Sequence, residues 1–523
     1  MALNNVKKYI PQGYNARVSG NAAFFEVPMG EIVQVVLSFA KLEQMQLKII
    51  TASDERKEQR CFKIFYIFGI PKEHLFIIPF IRLEGTEEFP SVAPGIHEAW
   101  NYERKIAAFF GLKPVGHPDS RRLMLHENWP DNLYPLRKDF PWNSRPAHAN
   151  GKGYAFEKIE GEGVYEIPVG PIHAGIIEPG HFRFNVAGEE ILLLEARLGY
   201  THKGTEKLFE TLPLQDKVRL SEKISGDSSF SHSLAFCQAV EILAGIKAPD
   251  RSAFLRVVYA ELERLSNHFG DIAFIMLDTG FNFGGAHGAR LREMTMRIAD
   301  RLTGSRFLRG VNAIGGVTKD IASQEQEWLL RELKHIEKDF SEVISIAQES
   351  ESLLNRLKKT GVLSQETALA HGVVGVPRRA LGMPIDARIQ YPYAAYADLD
   401  KEIALAEGGD VYARFLVRVK EVHTSCNLIK QALERIPQGK ILTEGGNISL
   451  QKEEMIISIV EGWRGEIVHV VSTDSHGQIA RVDVRDPSFL NWAALGHAGP
   501  GNIVPDFPLI NKSFNLSYSG NDL

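Results

Sequence analysis

Apolar residues recur at helical spacing in two stretches of the chain. Five of them follow steps of three and four residues and share one helix face, namely Leu262, Leu265, Phe269, Ile272 and Met276. A second and longer stripe has the same spacing and consists of Leu329, Leu333, Ile336, Phe340, Val343 and Ala347. Both stripes predict helices that pack against other helices in a core, and neither indicates a cofactor site.

Short runs of β-branched and aromatic residues predict strands on both sides of a segment rich in Pro and Gly. Before this segment, residues 47–50 and 62–67 alternate with helical patterns, which indicates a small α+β domain. After it the pattern is mainly helical, with further strands predicted at residues 164–169, 191–195, 466–471 and 478–484. We therefore predict an α+β chain with a first domain at 1–142, a linker at 143–163 and a helical domain with a small edge sheet at 164–523.

Composition and charge exclude several classes of function. The chain has 523 residues, of which 44% are hydrophobic and 24% charged, as is ordinary for a folded globular protein. A formal charge of -5 gives no basic footprint for nucleic acid. No apolar run approaches the roughly 20 residues of a membrane-spanning helix. Since the N-terminus also lacks an apolar signal core, we expect a cytoplasmic protein.

Cysteine is too sparse for thiolate chemistry. Only Cys61, Cys237 and Cys426 occur, and their wide spacing allows neither a disulfide framework nor a Cys-x-x-Cys metal site. The chain also has no Gly-x-Gly-x-x-Gly fingerprint after a strand, so we expect that it does not bind NAD itself.

A specific motif ends the first domain. Asn101-Tyr-Glu-Arg is followed by a loop and by Pro135-Leu-Arg-Lys-Asp-Phe-Pro, a string that resembles the C subunit of NADH-quinone oxidoreductase. Four basic side chains stand in this region: Arg121, Arg122, Arg137 and Lys138. They could form a solvated surface patch, but we favour an interface that fixes the domain against a partner subunit.

The second domain carries motifs of another kind. Gly-Pro-Ile-His at 170–173, Glu-Pro-Gly-His at 178–181 and His-Lys-Gly-Thr-Glu-Lys at 202–207 resemble the large subunit of energy-converting nickel-iron hydrogenases and the related D subunit of complex I. Segments at 259–268, 392–396, 409–414 and 485–489 extend the resemblance over essentially the whole chain. It implies a hydrogenase-like fold for the helical domain.

The resemblance fails at the metal-binding positions. Hydrogenases hold nickel and iron through Cys-Gly-x-Cys and Asp-Pro-Cys-x-x-Cys, whereas this chain has Ser225 and Ser228 at the first pair and Ser517 and Gly520 at the second. Soft thiolates bind these metals tightly, while a serine hydroxyl stays protonated and binds weakly. We therefore expect no nickel-iron site and no other metal or cofactor in this chain.

Complex I D subunits use the corresponding cavity for a quinone headgroup, and the resemblance implies candidates for the same role here. His173 matches the first histidine of that site, and His181 is the candidate for the second. The usual tyrosine falls at or near Gly226, so its phenol is absent. Asp278 matches the aspartate that pairs with the quinone-site histidine, an arrangement suited to relaying protons. An Asp before Thr-Gly is equally often a turn residue.

Two further side chains complete the candidate set. Glu222 stands beside the first substituted pair, where the hydrogenase family keeps an acid for proton transfer, although an exposed helix Glu is a close alternative. His232 follows in a Phe-Ser-His-Ser run. Together with His173, His181 and His202 it could suggest a zinc cluster, but satisfied buried imidazoles are the better interpretation because His-x-x-x-His spacing is lacking.

The resemblance implies a fused C/D-type subunit of a membrane-associated complex related to hydrogenase-4 and formate hydrogenlyase, without hydrogenase activity. Expected partners are an iron-sulfur small subunit, a ferredoxin-like subunit and a membrane arm with antiporter-like and H-like subunits. Iron-sulfur clusters would lie in those partners, and quinone is the candidate electron acceptor. Such a subunit is attached peripherally to the inner face of the membrane. The alternative is a catalytically silent scaffold between the small subunit and the ion-pumping arm.

Overall fold

The computed structural model describes residues 8–173, 177–443 and 448–523. The first part is built on a five-stranded sheet with strand order β1-β2-β5-β4-β3. Its strands are β1 (Ala16–Ser19), β2 (Ala22–Glu26), β3 (Gln46–Glu55), β4 (Cys61–Ile70) and β5 (Leu75–Glu84). The helices beside them are α1 (Ile32–Ala40), α2 (Arg56–Gln59) and α3 (Trp100–Phe110), and a small parallel pair is formed by β6 (Glu88–Pro90) and β7 (Lys113–Val115).

The strands predicted at 47–50 and 62–67 lie inside β3 and β4, which pair antiparallel at the edge of this sheet. Their side chains are almost all buried, because α1 and α3 contribute to the same core. The small α+β character of the first part is therefore confirmed. Residues 116–163 contain no helix or strand, and the predicted domain limits themselves stay a prediction.

A second sheet follows this connection and has the order β10-β9-β8. Its strands are β8 (Val164–Val169), β9 (His181–Ala187) and β10 (Glu190–Arg197). The predicted strands at 164–169 and 191–195 are confirmed, whereas β9 was not predicted. The loop from β8 to β9 carries His173 and Glu178, so this sheet positions part of the candidate site.

Long helices form the body of the second part. Four of them pack together around the main hydrophobic core: α7 (Asp250–Asp278), α8 (Asn282–Thr303), α9 (Ser323–Glu349) and α14 (Val411–Arg435). Both apolar stripes are confirmed on this bundle, the first on α7 and the second on α9. The helices up to this point are α4 (Thr205–Thr211), α5 (Leu214–Ser221), α6 (Ser229–Ala244), α7 (Asp250–Asp278), α8 (Asn282–Thr303) and α9 (Ser323–Glu349). The next are α10 (Glu351–Leu357), α11 (Gln365–Ala370), α12 (Val376–Arg379), α13 (Ala387–Gln390) and α14 (Val411–Arg435).

A third sheet lies inside the molecule. It has the order β13-β14-β15, and almost every position in it is buried. Its strands are β13 (Met455–Gly462), β14 (Gly465–Thr473) and β15 (Ile479–Arg485), after a short pair of β11 (Asn312–Ala313) and β12 (Gly316–Val317). The strands predicted at 466–471 and 478–484 are confirmed, but the sheet is covered on both faces. The core of the first part continues through β13 and β14, so the two parts share it.

Three helices close the chain: α15 (Pro487–Leu495), α16 (Phe507–Phe514) and α17 (Tyr518–Asp522). α17 packs against α15 and brings the last residues to the turn before α6. Among the helices in the described ranges, none combines the length and the apolar character needed to cross a bilayer.

Candidate functional site

The four positions that the resemblance assigns to hydrogenase thiolates meet at one place, which we call the vacated centre: Ser225, Ser228, Ser517 and Gly520. The two serine hydroxyls of different segments touch directly, with Ser225 Oγ 2.8 Å from Ser517 Oγ. Ser517 also begins α17, where its Oγ accepts a hydrogen bond from the Gly520 N–H at 2.9 Å. The hydroxyls are therefore engaged with one another and with a helix terminus.

An ion pair occupies the adjacent space. Both guanidinium Nη atoms of Arg464 donate to the Asp227 carboxylate, at 2.6 and 2.8 Å, and Arg464 Nη1 lies 3.5 Å from Ser228 Oγ. Asp227 also accepts from the Ser225 hydroxyl at 2.9 Å. Although burial opposes it, the Arg464 guanidinium lowers the pKa of Asp227 overall. The carboxylate thus stays ionised beside the vacated centre.

A second carboxylate stands where the fourth thiol would lie. A Cβ added to Gly520 would come within 2.7 Å of the Asp486 carboxyl carbon. Asp486 is held there by His232, whose Nε2 lies 3.0 Å from Asp486 Oδ2, and by the backbone N–H of Ser488. Burial raises the pKa of Asp486, but His232, Arg464 and the Ser488 N–H together lower it by more, so the net shift is downward.

His232 joins this carboxylate to a second buried imidazole. Its Nδ1 lies 3.1 Å from Nε2 of His469, a residue of β14. Burial lowers the pKa of His469 well below its usual value, and the neighbouring His232 lowers it further. His469 is therefore neutral over the physiological pH range.

The vacated centre does not fit a nickel-iron group. Its side chains offer hydroxyls that are already bonded to each other, and the space beside Gly520 belongs to the Asp486 carboxylate. Hydroxyls are poor substitutes for thiolates on these metals. In the described residues, no cluster of three or more His, Cys, Asp or Glu side chains has a geometry that could hold a metal ion.

His173 and His181 flank the loop from β8 to β9. His173 Nε2 lies 2.8 Å from the Gly180 carbonyl, and His181 Nδ1 lies 3.1 Å from the Gly170 carbonyl, so the two rings tie the loop ends together. Gly180 in turn lies against Tyr518, which follows Ser517. Both histidines are thus close to the vacated centre but bonded to the backbone. Residues 174–176 between them lie outside the described residues.

Asp278 and Glu222 have partners that the sequence did not indicate. Asp278 ends α7 and pairs with Lys512 Nζ at 2.5 Å, and in the described part of the chain it has no histidine partner. Glu222 is buried, which removes the exposed-surface alternative, and its Oε1 accepts from the Gly310 N–H at 2.6 Å. Burial raises the pKa of Glu222.

Sequence reasoning missed the side chains that fill the centre, namely Asp227, Arg464, Asp486 and His469. Asp486 lies within the 485–489 motif, which carried the family resemblance but was not considered for chemistry. Glu178 was also quoted only as part of a motif. Its Oε2 accepts from the Ser519 N–H at 3.0 Å, which brings a further carboxylate to α17. For Arg464, a Trp-Arg-Gly turn between two buried strands was the available signal.

The basic residues of the first part make their contacts within the chain. Arg121 Nη1 pairs with Glu195 at 2.6 Å and Lys138 Nζ with Glu210 at 3.0 Å, and both acids belong to the second part. Arg122 and Arg137 pair within the first part, with Asp131 and Glu87. The predicted interface with a partner subunit stays a prediction.

Two family models match the chain. The one described as Respiratory-chain NADH dehydrogenase, 30 Kd subunit, matches residues 25–146. The one described as Respiratory-chain NADH dehydrogenase, 49 Kd subunit, matches residues 278–459 and 446–522. Their order is that of the two parts of the structure.

Curated relatives are similar over most of the chain. Formate hydrogenlyase subunit 5 of Escherichia coli is 33% identical over 91% of this chain and 84% of its own length. Hydrogenase-4 component G of the same organism is 34% identical over 91% of this chain and 83% of its own. The C/D subunit of NADH-quinone oxidoreductase from Phocaeicola vulgatus is 33% identical, over 72% and 76% respectively.

Proposed function

This chain belongs to the family of core subunits that complex I shares with the energy-converting hydrogenases, and from that premise we propose a specific role. It is the peripheral-arm core subunit of a membrane-associated oxidoreductase complex that couples electron transfer to ion translocation. It works without nickel-iron hydrogenase activity. The observation that carries this proposal is the vacated centre, where Ser225 Oγ bonds to Ser517 Oγ at positions that the resemblance assigns to metal-binding thiolates.

Electrons must then enter and leave through other groups. Iron-sulfur clusters in partner subunits would carry the electrons, and a quinone-like molecule beside the vacated centre would accept them. His173 and His181 border that region, and His232, Asp278 and Glu222 supply groups that can hold or move protons. We propose that this chain itself binds neither NAD nor a metal.

The proposed partner subunits follow from the same family membership. The names of two relatives mark them as a subunit or component of formate hydrogenlyase and of hydrogenase-4. By analogy, this chain would bind an iron-sulfur small subunit and a ferredoxin-like subunit, above a membrane arm with antiporter-like and H-like subunits. It would lie on the cytoplasmic face of the membrane.

A second candidate is a scaffold without redox chemistry of its own. It is favoured by the Arg464–Asp227 ion pair and the Ser225–Ser517 contact, which fill the centre with the chain's own groups. A scaffold needs only the fold and its contacts, and those are extensive between the two parts of the chain.

One experiment separates these candidates. The complex is purified through a tag on this chain, and iron, nickel and quinone are quantified on the same sample. Stoichiometric quinone that is lost in His173→Gln or Asp278→Asn, but kept in the exposed control His148→Gln, supports the redox role. Iron without quinone, with electron transfer unchanged in both variants, supports the scaffold. Stoichiometric nickel would overturn both.

A further inference from the structure

A cavity of about 760 Å³ lies between the two parts of the chain, away from the vacated centre. The first part contributes wall residues between 40 and 48 and between 93 and 100, and the second contributes residues between 369 and 378. Exposed residues at 41–43, 94–95 and 369–370 are among them, so the cavity opens to solvent. Its volume falls in the range of about 300–1,000 Å³ that is typical of small-molecule sites.

Three cations line this cavity: Lys48 of β3, Arg378 of α12 and Arg485 of β15. Lys48 and Arg485 share one carboxylate, since Glu466 lies 2.6 Å from Lys48 Nζ and 2.6 Å from Arg485 Nη2. All three of these side chains are buried. The shared carboxylate therefore leaves a surplus of positive charge at the wall, before Arg378 is considered.

Arg378 has no ion pair with a carboxylate in the described ranges. Its Nη1 donates to the Val373 carbonyl at 3.2 Å, its Nη2 makes no hydrogen bond to a described residue, and its Nε is buried without a partner. The neighbouring Arg379, by contrast, is paired with Glu421 and Glu461 at 2.6 and 2.7 Å. Because an unpaired guanidinium is costly to bury, Arg378 is suited to hold an anion that enters the cavity.

Glu98 of the first part also faces the cavity without a partner. In the part of the chain that the structure describes, its carboxylate makes no hydrogen bond and no ion pair. It rests against Gly372, where an added Cβ would come within 2.4 Å of the Glu98 carboxyl carbon. Glu98 and Arg378 thus line one cavity with opposite charges and do not touch, which leaves room for a bound group between them.

We propose that this cavity binds a small molecule through an oxyanion group, either a carboxylate or a phosphate, which the Arg378 guanidinium holds. Charge-assisted hydrogen bonds from a planar guanidinium suit both kinds of group. The surplus charge at Lys48 and Arg485 attracts the same group, and Glu98 donates a hydrogen bond to the ligand when it is protonated. Because the walls come from both parts of the chain, the bound molecule bridges them. The site needs neither electron transfer nor a partner subunit, so it is independent of the proposed function.

The first test is isothermal titration calorimetry of the intact complex with sodium sulfate at constant ionic strength. Arg378→Gln should weaken sulfate binding by about tenfold or more, because it removes a charge-assisted contact. The matched control is Arg17→Gln, since Arg17 lines another cavity between the parts but is paired with Glu454 at 3.0 Å. It should bind sulfate as the unaltered complex does. Absence of binding to the unaltered complex, or equal binding in Arg378→Gln, would overturn the proposal.

Sodium acetate is titrated in parallel to identify the oxyanion. Tighter binding of sulfate would support a phosphate-bearing ligand, and tighter binding of acetate would support a carboxylate. In either case the weaker binding in Arg378→Gln must be reproduced, and its absence with both anions would overturn the site.

The second test uses the pH dependence of sulfate binding. Burial raises the pKa of Glu98 to about 7, although Arg485, Arg378 and Lys48 oppose this shift. Sulfate keeps its charge near neutral pH, whereas Glu98 loses its proton there and then repels the anion. Burial lowers the pKa of His97, which also lines the cavity, so His97 titrates at lower pH than Glu98. The other charged groups around the cavity are Lys41, Glu43, Lys48, Arg378, Glu466 and Arg485.

We therefore expect the affinity for sulfate to fall as the pH rises through 7, by about tenfold for each unit by which binding raises the pKa of Glu98. Glu98→Gln should bind sulfate without this fall, because the amide stays neutral and can still donate. A fall of the same size in Glu98→Gln would overturn the placement of the anion beside Glu98. Neither titration needs an electron acceptor, so absence of quinone would count against the proposed function and not against this site.

Discussion

Buried charged groups are arranged differently at the vacated centre and at the contact between the two parts of the chain. At the contact, Lys105 of α3 lies 2.8 Å from both Glu206 of α4 and Asp483 of β15. Arg481 completes this group, and all four side chains are 8% exposed or less. At the vacated centre, by contrast, the charged groups lie in two separate pairs, Arg464–Asp227 and His232–Asp486, and the hydroxyls of Ser225 and Ser517 contact each other.

The difference shows where the fold depends on charge. The Lys105 group joins α3 of the first part to α4 and the buried sheet of the second, and each charge has an opposite partner at hydrogen-bond distance. Such a group is expensive to break, because removing one member leaves an uncompensated charge in the interior. At the vacated centre, His232 and Asp486 are also buried, and only Asp227 keeps substantial exposure, at 35% of its side chain.

Removing Lys105 should have the largest effect. In Lys105→Met, Glu206 and Asp483 lose their shared cation while staying buried, and we expect stability to fall by about 3–5 kcal/mol. Thermal unfolding of the purified chain measures this loss. The matched control is Lys113→Met, since Lys113 pairs with Glu88 at the surface with side-chain exposures of 71% and 56%. Equal losses of stability in the two variants would contradict the expected difference between the buried group and the surface pair.

Adding one methyl group at the vacated centre should have a smaller effect. In Gly520→Ala the new Cβ would meet the Asp486 carboxylate, which His232 and the Ser488 N–H hold in place. Overpacking of this kind costs about 1–3 kcal/mol. The control is Gly30→Ala, where a Cβ meets open space. If thermal unfolding showed no difference between the two, Asp486 would be free to move and the centre would be looser than we describe.

The sequence predicted which segments form the centre better than it predicted which side chains occupy it. The family resemblance identified Ser225 and Ser517, 292 positions apart, and their hydroxyls are in contact. Periodicity identified α7 and α9 because long amphipathic helices carry a strong repeating signal. It missed β13, because a short apolar run such as 455–460 does not distinguish a buried strand from a helix. The partner of Asp278 could not be predicted, because nothing local indicates a lysine 234 positions away.

We expect the stability of the fold to depend on pH through a second contact between the two parts of the chain. His371 is buried between His97 of the first part and His497, with ring centroids 4.3 and 4.8 Å away. Burial, together with these two neighbours, lowers the pKa of His371 to about 3. Glu98, Arg104, Asp119 and Arg121 are the charged groups around it.

The direction in which stability changes with pH follows from the lowered pKa of His371. Above pH 6.5, the usual value for histidine, neither the folded nor the unfolded state protonates His371, so its contribution is constant. As the pH falls from 6.5 toward 3, the unfolded state binds the proton and stability is lost, by up to about 1.4 kcal/mol per pH unit. His371→Asn should flatten the dependence of the unfolding temperature on pH in this range. The exposed control His148→Asn should leave it unchanged, and an unaltered slope in His371→Asn would contradict the assignment.

The smallest effect is expected where Lys512 of α16 pairs with Asp278 at the end of α7. The side chain of Lys512 is 41% exposed, so solvent screens the pair and its loss should cost about 0–1 kcal/mol. A double-mutant cycle with Lys512→Met and Asp278→Asn isolates the pairwise contribution. A small favourable coupling energy would identify the lysine as the partner that holds Asp278 in the resting chain. Zero coupling would show that Lys512 does not hold Asp278 in place.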